Sequence, residues 1–416
     1  MDLIIEAVEG LLATLPWWPA FLPANFLVWA VYAGGLALGL PPAAMTVLTW
    51  MERKVIARMQ DRIGPNRAGP FGVLQALADT IKMLTKEDIT PDGADRVPYN
   101  LAPGLVAVSA ILVFAVIPVA PNIIGVNLNI GVLYVMAVGS FGILGVLIAG
   151  WSSNNKYALL GAFRAVAQLV SYEIPMIIAL ITVVMVAGSM STLDIQNSQT
   201  LANNNIIFMV SMPLTFLIFF LSGVAETGRS PFDLLEAESE IIAGFHVEYT
   251  GLKFGLFMIG EYVHMFALAM LTAVLFLGGY NGPFLTPELI EAQPWLAGIL
   301  GFIYFSLKTF FFVFIMMWFR GTLPRFRIDH LLDFGWKFLV PVGLVNLIIT
   351  AIIVKLFQQP GPGIVAGPLA GLAAWQWVAL LLSNVAVFFI STQVVRGVAR
   401  RSHNNPGLRA LAAVER

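Results

Sequence analysis

Ala225 to Tyr249 reads AETGRSPFDLLEAESEIIAGFHVEY, which places six carboxylates (Glu226, Asp233, Glu236, Glu238, Glu240 and Glu248) within 23 residues, a quarter of the chain's 24 acids. Crowded carboxylates bind protons more tightly and titrate as a coupled group, which is how a proton-handling site is built. Asp233, Glu236 and Glu240 are spaced by three and four and fall on one helical face, where like charges repel by roughly a few tenths of a kcal/mol per pair. Ser230-Pro231-Phe232-Asp233 also has the form of a helix start, with Ser230 as N-cap and Pro231 at the first helical position. Asp233 therefore has a capping reading beside the chemical one, and the whole run has a second reading as a solvated acidic face. Apolar Ile241 to Phe245 follows directly and bounds the acidic turn.

A second set of ionisable residues interrupts apolar runs. Glu173 and Glu261 each fall about seven residues into such a run, roughly 10 Å deep at the helical rise, and Lys308 falls near the middle of another. Charge at the bilayer centre costs about 2.5 to 3.5 kcal/mol on insertion scales, so such groups face a protein interior, with a partner or water. His264, one turn beyond Glu261, is placed to join a proton chain; a static Glu261–Lys308 ion pair is the alternative. Arg320 opens RGTLPRFRID and is the basic residue nearest the bilayer, suited to pair with the acidic loop, whereas Arg325 and Arg327 read as markers of topology.

These residues need a membrane scaffold to hold them. Apolar residues make up 58% of the chain and charged ones 11%, with a mean hydropathy of +0.84, outside the range of a soluble globular domain. An all-α integral membrane protein is expected, with about nine spans near 25–50, 101–121, 130–151, 166–189, 205–225, 254–278, 296–319, 335–357 and 372–395. Of the 23 Lys and Arg residues, eight fall between spans one and two, two between three and four, two between five and six, three between seven and eight with Lys337 at the start of the eighth, and five after the ninth. All of these lie on one side, which predicts an outer N-terminus and a cytoplasmic C-terminus in a bacterial-type inner membrane. In the first inner loop, Leu74, Leu77, Ala78, Ile81 and Leu84 recur at helical spacing opposite Gln75, Asp79, Lys82 and Lys86, predicting an interfacial amphipathic helix that also reads as a simple anchor. The chain divides into an outer segment 1–24, an eight-helix core 25–357, a Gly/Pro-rich connector 358–371, an appended helix 372–395 and a basic tail 396–416. It has no cysteine, so no iron-sulfur cluster is expected on thiolates; its four histidines show no metal-ligand spacing, and no nucleic-acid partner is expected.

Four segments, ERKVIARMQDRIGPNRAGPFGVLQALADTIKMLTKED, WSSNNKYALLGAFRAVAQLVSYEIP, AETGRSPFDLLEAESEIIAGFHVEY and RGTLPRFRID, closely resemble in order and spacing the signature segments of the H subunit of proton-pumping NADH-quinone oxidoreductase, respiratory complex I. The resemblance runs from about residue 25 to 357 and leaves the ninth helix unexplained. It implies a subunit forming the membrane part of the quinone chamber, with NADH, flavin and iron-sulfur clusters in partner subunits and no metal or flavin of its own. Peripheral-arm quinone-site subunits, small and antiporter-like membrane subunits, and lipid are the implied partners. Carried over by position, Arg53, Arg62 and Asp79 belong near the quinone entrance, Glu226, Arg229, Asp233, Glu236, Glu238 and Glu240 to the loop beside the quinone path, and Arg320 to the end of the seventh span. Glu173 and Glu261 match intramembrane acids of a proton path, which Lys308 could extend. A membrane subunit from a complex-I-like hydrogenase, a stand-alone ion transporter and a purely structural anchor for the peripheral arm are the competing readings.

Overall fold

The computed structural model describes residues 39–121, 123–199, 206–233, 244–357 and 374–404. The expected outer segment, the start of the first span, Glu236, Glu238, Glu240, the connector and the end of the tail lie outside these residues. Within them, regular structure is helical, with a single isolated bridge between Ala120 and Ile123. The principal helices are α1 (Leu40–Met59), α2 (Gln75–Thr85), α3 (Arg96–Leu112, continued as a 3-10 turn to Val116), α4 (Gly131–Ser152), α5 (Lys156–Ala187) and α6 (Pro213–Glu226). They are followed by α7 (Gly251–Leu277), α8 (Pro294–Thr322), α9 (Ile328–Leu356) and α10 (Ala374–Asn404). Seven of them (α3, α4, α5, α7, α8, α9 and α10) are long and apolar enough to cross a membrane, and α6 is a shorter apolar helix. The chain is thus an all-α, multi-pass membrane protein.

Several helices outrun the apolar stretches that announce them. The first expected span stops at residue 50, but α1 continues to Met59 and carries Glu52 and Arg53 as helical residues. α5 starts ten residues before the expected 166, because Asn155 caps it by accepting from the Tyr157 amide at 2.9 Å. Glu173 is therefore near the middle of a 32-residue helix rather than seven residues in. The fifth expected span is broken: a turn at Phe208–Ser211 precedes Pro213, which opens α6. α9 starts at Ile328 rather than 335, and α10 runs past the expected 395 into the basic tail.

α7 is the axis of the bundle. It packs against α1, α3 and α8, and 78% of its most apolar window is buried, against 17% for α10. Close approach relies on small residues, as between helices in lipid: a Cβ on Gly260 of α7 would stand 2.7 Å from Val106 of α3. α5 packs on α4, α6 and α9. Pro175 removes the amide that would bond the Ser171 carbonyl; the turn of α9 at Gly335 fits against this point, and Trp336 donates to Ser171 Oγ at 3.0 Å. α10 lies at the edge, docked on α6 and α9 through Trp377, Leu380, Asn384 and Val387, a buried stripe at helical spacing.

The end of the acidic loop folds against the inner ends of α3 and α5. Tyr249 stacks on Tyr99 with centroids 4.2 Å apart, and Tyr99 donates its hydroxyl to the Glu248 carbonyl at 2.8 Å. Glu248 accepts from Asn155 at 2.6 Å, so this acid is a clasp on the α5 cap. His246 is buried between the rings of Phe245 and Phe254, its Nδ1 without a partner among the described residues. Burial pushes its imidazole from 6.5 down to about 4. Once unfolded, the ring binds a proton more readily, so its contribution is complete above pH 6.5 and is lost as pH falls to about 4, some ~3 kcal/mol in all. His246→Leu is expected to flatten the acid-side loss of loop stability, read as limited proteolysis at residues 244–249 between pH 7 and 5; an unchanged pH dependence would remove His246 as its source.

Candidate functional site

Glu52 projects from α1 into the bundle and is only 4% exposed. Its carboxylate accepts from Arg229 Nη1 at 3.1 and 3.0 Å and also from Arg320 Nη1 at the end of α8. Arg229 is itself 2% exposed. Its guanidinium lies 4.6 Å over the Tyr262 ring, and Nη2 is 3.2 Å from Glu261 Oε1, an ion pair without hydrogen-bond geometry. Burial opposes the charge on Arg229, but Glu261 and Glu52 outweigh it and hold its pKa above the ordinary arginine value. A four-membered string, Arg320–Glu52–Arg229–Glu261, thereby links α8, α1, the loop after α6, and α7.

That loop is held in place by Gln168 of α5, which is fully buried and donates to the carbonyls of Ala225 and Phe232, both at 2.7 Å. The two bonds bracket Glu226 to Pro231, and Gly228, with φ of +63°, makes the turn. Glu226 closes α6 with its side chain among α4, α5 and α7. Its Oε1 is 3.4 Å from His264 Nε2, whereas Oε2 is buried with no hydrogen-bond partner among the described residues. A cavity of about 110 Å³ is walled by Glu226, Glu261 and His264 together with Ser109, Gly139 and Gly142. Next to Gly139, Ser140 donates to Glu173 Oε1 at 2.7 Å. Glu261 and Glu226 thus share one cavity, and Glu173, held by Ser140, lies outside its lining on α5.

Other expected residues occupy different settings. Asp233 pairs with Arg325 at 2.9 Å, so among the described residues of the loop the cationic partner of Asp233 is Arg325, a residue expected only to mark topology, while Arg320 reaches back to α1. Ser230 donates to the Leu323 carbonyl at 3.1 Å. In the first loop, Arg53 Nη1 meets Asp79 Oδ2 at 2.6 Å, joining α1 to α2, and Arg53 and Arg62 line one shallow hollow. Partial burial works to raise the Asp79 carboxyl, but the hydrogen bond and charge of Arg53 prevail and hold it below the ordinary value. α2 presents Leu77, Ile81 and Leu84 outward. Lys308 is remote from the string. Its Nζ donates to the carbonyls of Leu277, Gly279 and Asn281 at 2.7 to 2.8 Å, capping the far end of α7, 16 residues or about 24 Å along the helix from Glu261. The expected alternative of a Glu261–Lys308 pair is therefore replaced by Glu261–Arg229.

Two functional residues are missing from the sequence reading. Glu52 counts there as the first residue of a loop, although an acid directly beneath an apolar run, in a chain with arginines at two other inner junctions, is a signal for a buried pair. Gln168 carries no signal beyond being an amide within an apolar run. Among the described residues no group of three or more His, Cys, Asp or Glu is placed to hold a metal ion.

A family profile described as NADH dehydrogenase matches residues 35–351. The chain is 47% identical over 327 residues to the H subunit of NADH-quinone oxidoreductase from Dehalococcoides mccartyi strain CBDB1, covering 79% of this chain and 86% of that one. It is 48% identical over 318 residues to an H subunit of the same enzyme from Geobacter metallireducens, covering 74% and 91%, and 45% identical over 325 residues to that of Geobacillus kaustophilus, covering 78% and 93%. With a family match that spans the charge string and the cavity alike, the chain belongs to the NADH dehydrogenase family, among proteins of the H-subunit type.

Proposed function

We propose that this chain is the membrane subunit of an NADH-quinone oxidoreductase, that it forms the membrane part of the quinone chamber, and that its carboxylates couple quinone reduction to proton translocation. The observation that carries this reading is that Glu261 and Glu226 line one cavity beneath the acidic loop, with Gly139 of α4 in the same wall and Glu173 bound to the next residue, Ser140. The shared name of the relatives favours it over a hydrogenase component or a lone transporter.

In this reading the electrons come from NADH through flavin and iron-sulfur centres in partner subunits, and this chain carries no redox centre. Two electrons delivered to a quinone call for two protons, and negative charge arising in the chamber makes nearby carboxylates better proton acceptors. Asp233, Glu236 and Glu240 respond first, with Glu238 and Arg229 beside the quinone path, and Glu226, Glu261 and Glu173 pass the change laterally toward the antiporter-like subunits. Arg53, Arg62 and Asp79 frame the entrance. Lys308, about 24 Å from Glu261 along α7, has no place in this relay. The N-terminus is outside and the C-terminus cytoplasmic.

Glu52 and its two arginines form the frame on which the relay is built. Removing one member of a buried ion pair costs about 3 to 5 kcal/mol, because the remaining charge is left uncompensated. Glu52→Gln is expected to leave Arg229 and Arg320 short of one negative charge and to lower the melting temperature or yield of the assembled complex on native gels; a variant that assembles and melts as wild type does would show that the triad is not a structural anchor. Glu173→Gln and Glu236→Gln are expected to assemble normally and to lower inhibitor-sensitive NADH-quinone reduction and vesicle acidification by about 10-fold or more, within the range for lost proton-transfer groups. If both left reduction and pumping intact, the relay would be ruled out.

A further inference from the structure

The carboxylates around the cavity differ in how firmly they are held. Glu261 is bound to Arg229 and Glu173 to Ser140, while Glu226 keeps one oxygen, Oε2, buried and unpartnered among the described residues. The neighbour of its other oxygen is His264, three residues after Glu261 on α7 and therefore on the same helical face. Both Glu226 and His264 reach the space left by Gly139, where even a Cβ would come within 4.0 Å of Glu226 Oε1. An imidazole is suited to a gap between two carboxylates because one ring nitrogen accepts a proton while the other donates one. A cavity of about 110 Å³ has room for several waters.

Resting on the relay reading above, we propose that His264 is the proton carrier that joins the Glu261 side of the cavity to Glu226. A proton leaving protonated Glu261 passes through a cavity water, which ends unchanged, to Nδ1 while Nε2 gives its proton to Glu226 Oε1. Glu261 is left as the carboxylate and Glu226 as the carboxylic acid, and the ring, in the opposite tautomer, returns by losing the Nδ1 proton to cavity water and regaining one at Nε2. The groups that share the cavity with His264 are Glu226 from α6, Glu261 from its own helix with Arg229 behind it, and Ser109 from α3. The proposed relay thus crosses from α7 to α6 at this cavity, with the imidazole as its mobile member.

The test uses the complete complex in membrane vesicles, with assembly followed on native gels and NADH-quinone reduction and acidification measured for His264→Leu, His264→Gln, Glu226→Gln and the His264→Gln/Glu226→Gln double variant. Glutamine keeps a hydrogen-bonding side chain of similar reach but neither takes up nor releases a proton at neutral pH. His264→Gln is expected to lose about 10-fold or more in both activities, with the double variant no slower than Glu226→Gln alone, because both residues serve one step. A merely structural role for His264 predicts that glutamine restores activity lost in His264→Leu, and that outcome would overturn the proposal, as would additive losses in the double variant. Full activity of His264→Gln beside an inactive Glu226→Gln would leave the relay standing and remove His264 from it. Full activity of Glu226→Gln would defeat the relay itself and the proposal with it. Should His264→Leu fail to assemble, the glutamine variants decide the matter.

Discussion

The bundle depends on one buried carboxylate shared between two arginines. An ionised group away from water is tolerated only with opposite charge and hydrogen bonds in good geometry, and Glu52 has both, from Arg229 and from Arg320. Its three positions are far apart in sequence, at residues 52, 229 and 320, and belong to three different elements: α1, the turn after α6, and the end of α8. Apolar side chains can slide past one another in a lipid-like environment at little cost, because the surrounding chains are as apolar as the helices. A charge triad cannot slide. It fixes the height of α1 against α8 and, through Arg229 and Glu261, the height of both against α7.

The turn after α6 must then meet two demands at once. It has to deliver Arg229 to the triad and leave Glu226, three residues earlier, facing the other way into the cavity. Gln168 resolves the conflict by clamping the backbone on both sides of the turn, and Gly228 supplies the left-handed conformation between them. Pro175 lies seven residues beyond Gln168 on α5, where the missing amide bond is answered by the packing of α9. α5 is therefore regular where it clamps the turn and relaxed where it carries Glu173. In the proposed function the same helix serves as scaffold at one level and relay element at another.

Much of this was legible in the sequence, and what was not has physical reasons. Apolar runs located the membrane helices but not their ends, because a helix continues beyond the hydrocarbon wherever a cap or a partner sustains it. α5 begins at its Asn155 cap, and α1 continues through Glu52 because Arg229 and Arg320 neutralise that residue inside the fold. The acidic run and the intramembrane acids stood out by type, and Glu226 with Glu261 does line one cavity. Partners were harder to read. Arg320 is the basic residue of its segment nearest the bilayer, yet the last turn of α8 points it at α1, and Arg325, five residues on, reaches Asp233. Lys308 looked like a counter-ion for Glu261 because both interrupt apolar runs; depth along a helix, which composition does not give, puts it against the carbonyls that end α7.

The charges of the described site fall into two sets, and the division bears on how it works. Arg320, Glu52, Arg229 and Glu261 sum to zero, and Glu52 between its two arginines is the member whose protonation would cost most in a medium that penalises unpaired charge, while Glu261 meets Arg229 only at the edge of the cluster. Glu226 and Glu173 lie outside that balance, with the His264 imidazole and the Ser140 hydroxyl as polar neighbours. A change of protonation there disturbs no ion pair. Arg320, Glu52 and Arg229 can therefore act as a rigid electrostatic boundary beside the cavity, while in the proposed relay Glu261 at its edge and the groups beyond it vary in charge. That separation of fixed from variable charge is what a site must have if proton movement is to leave the helices in register.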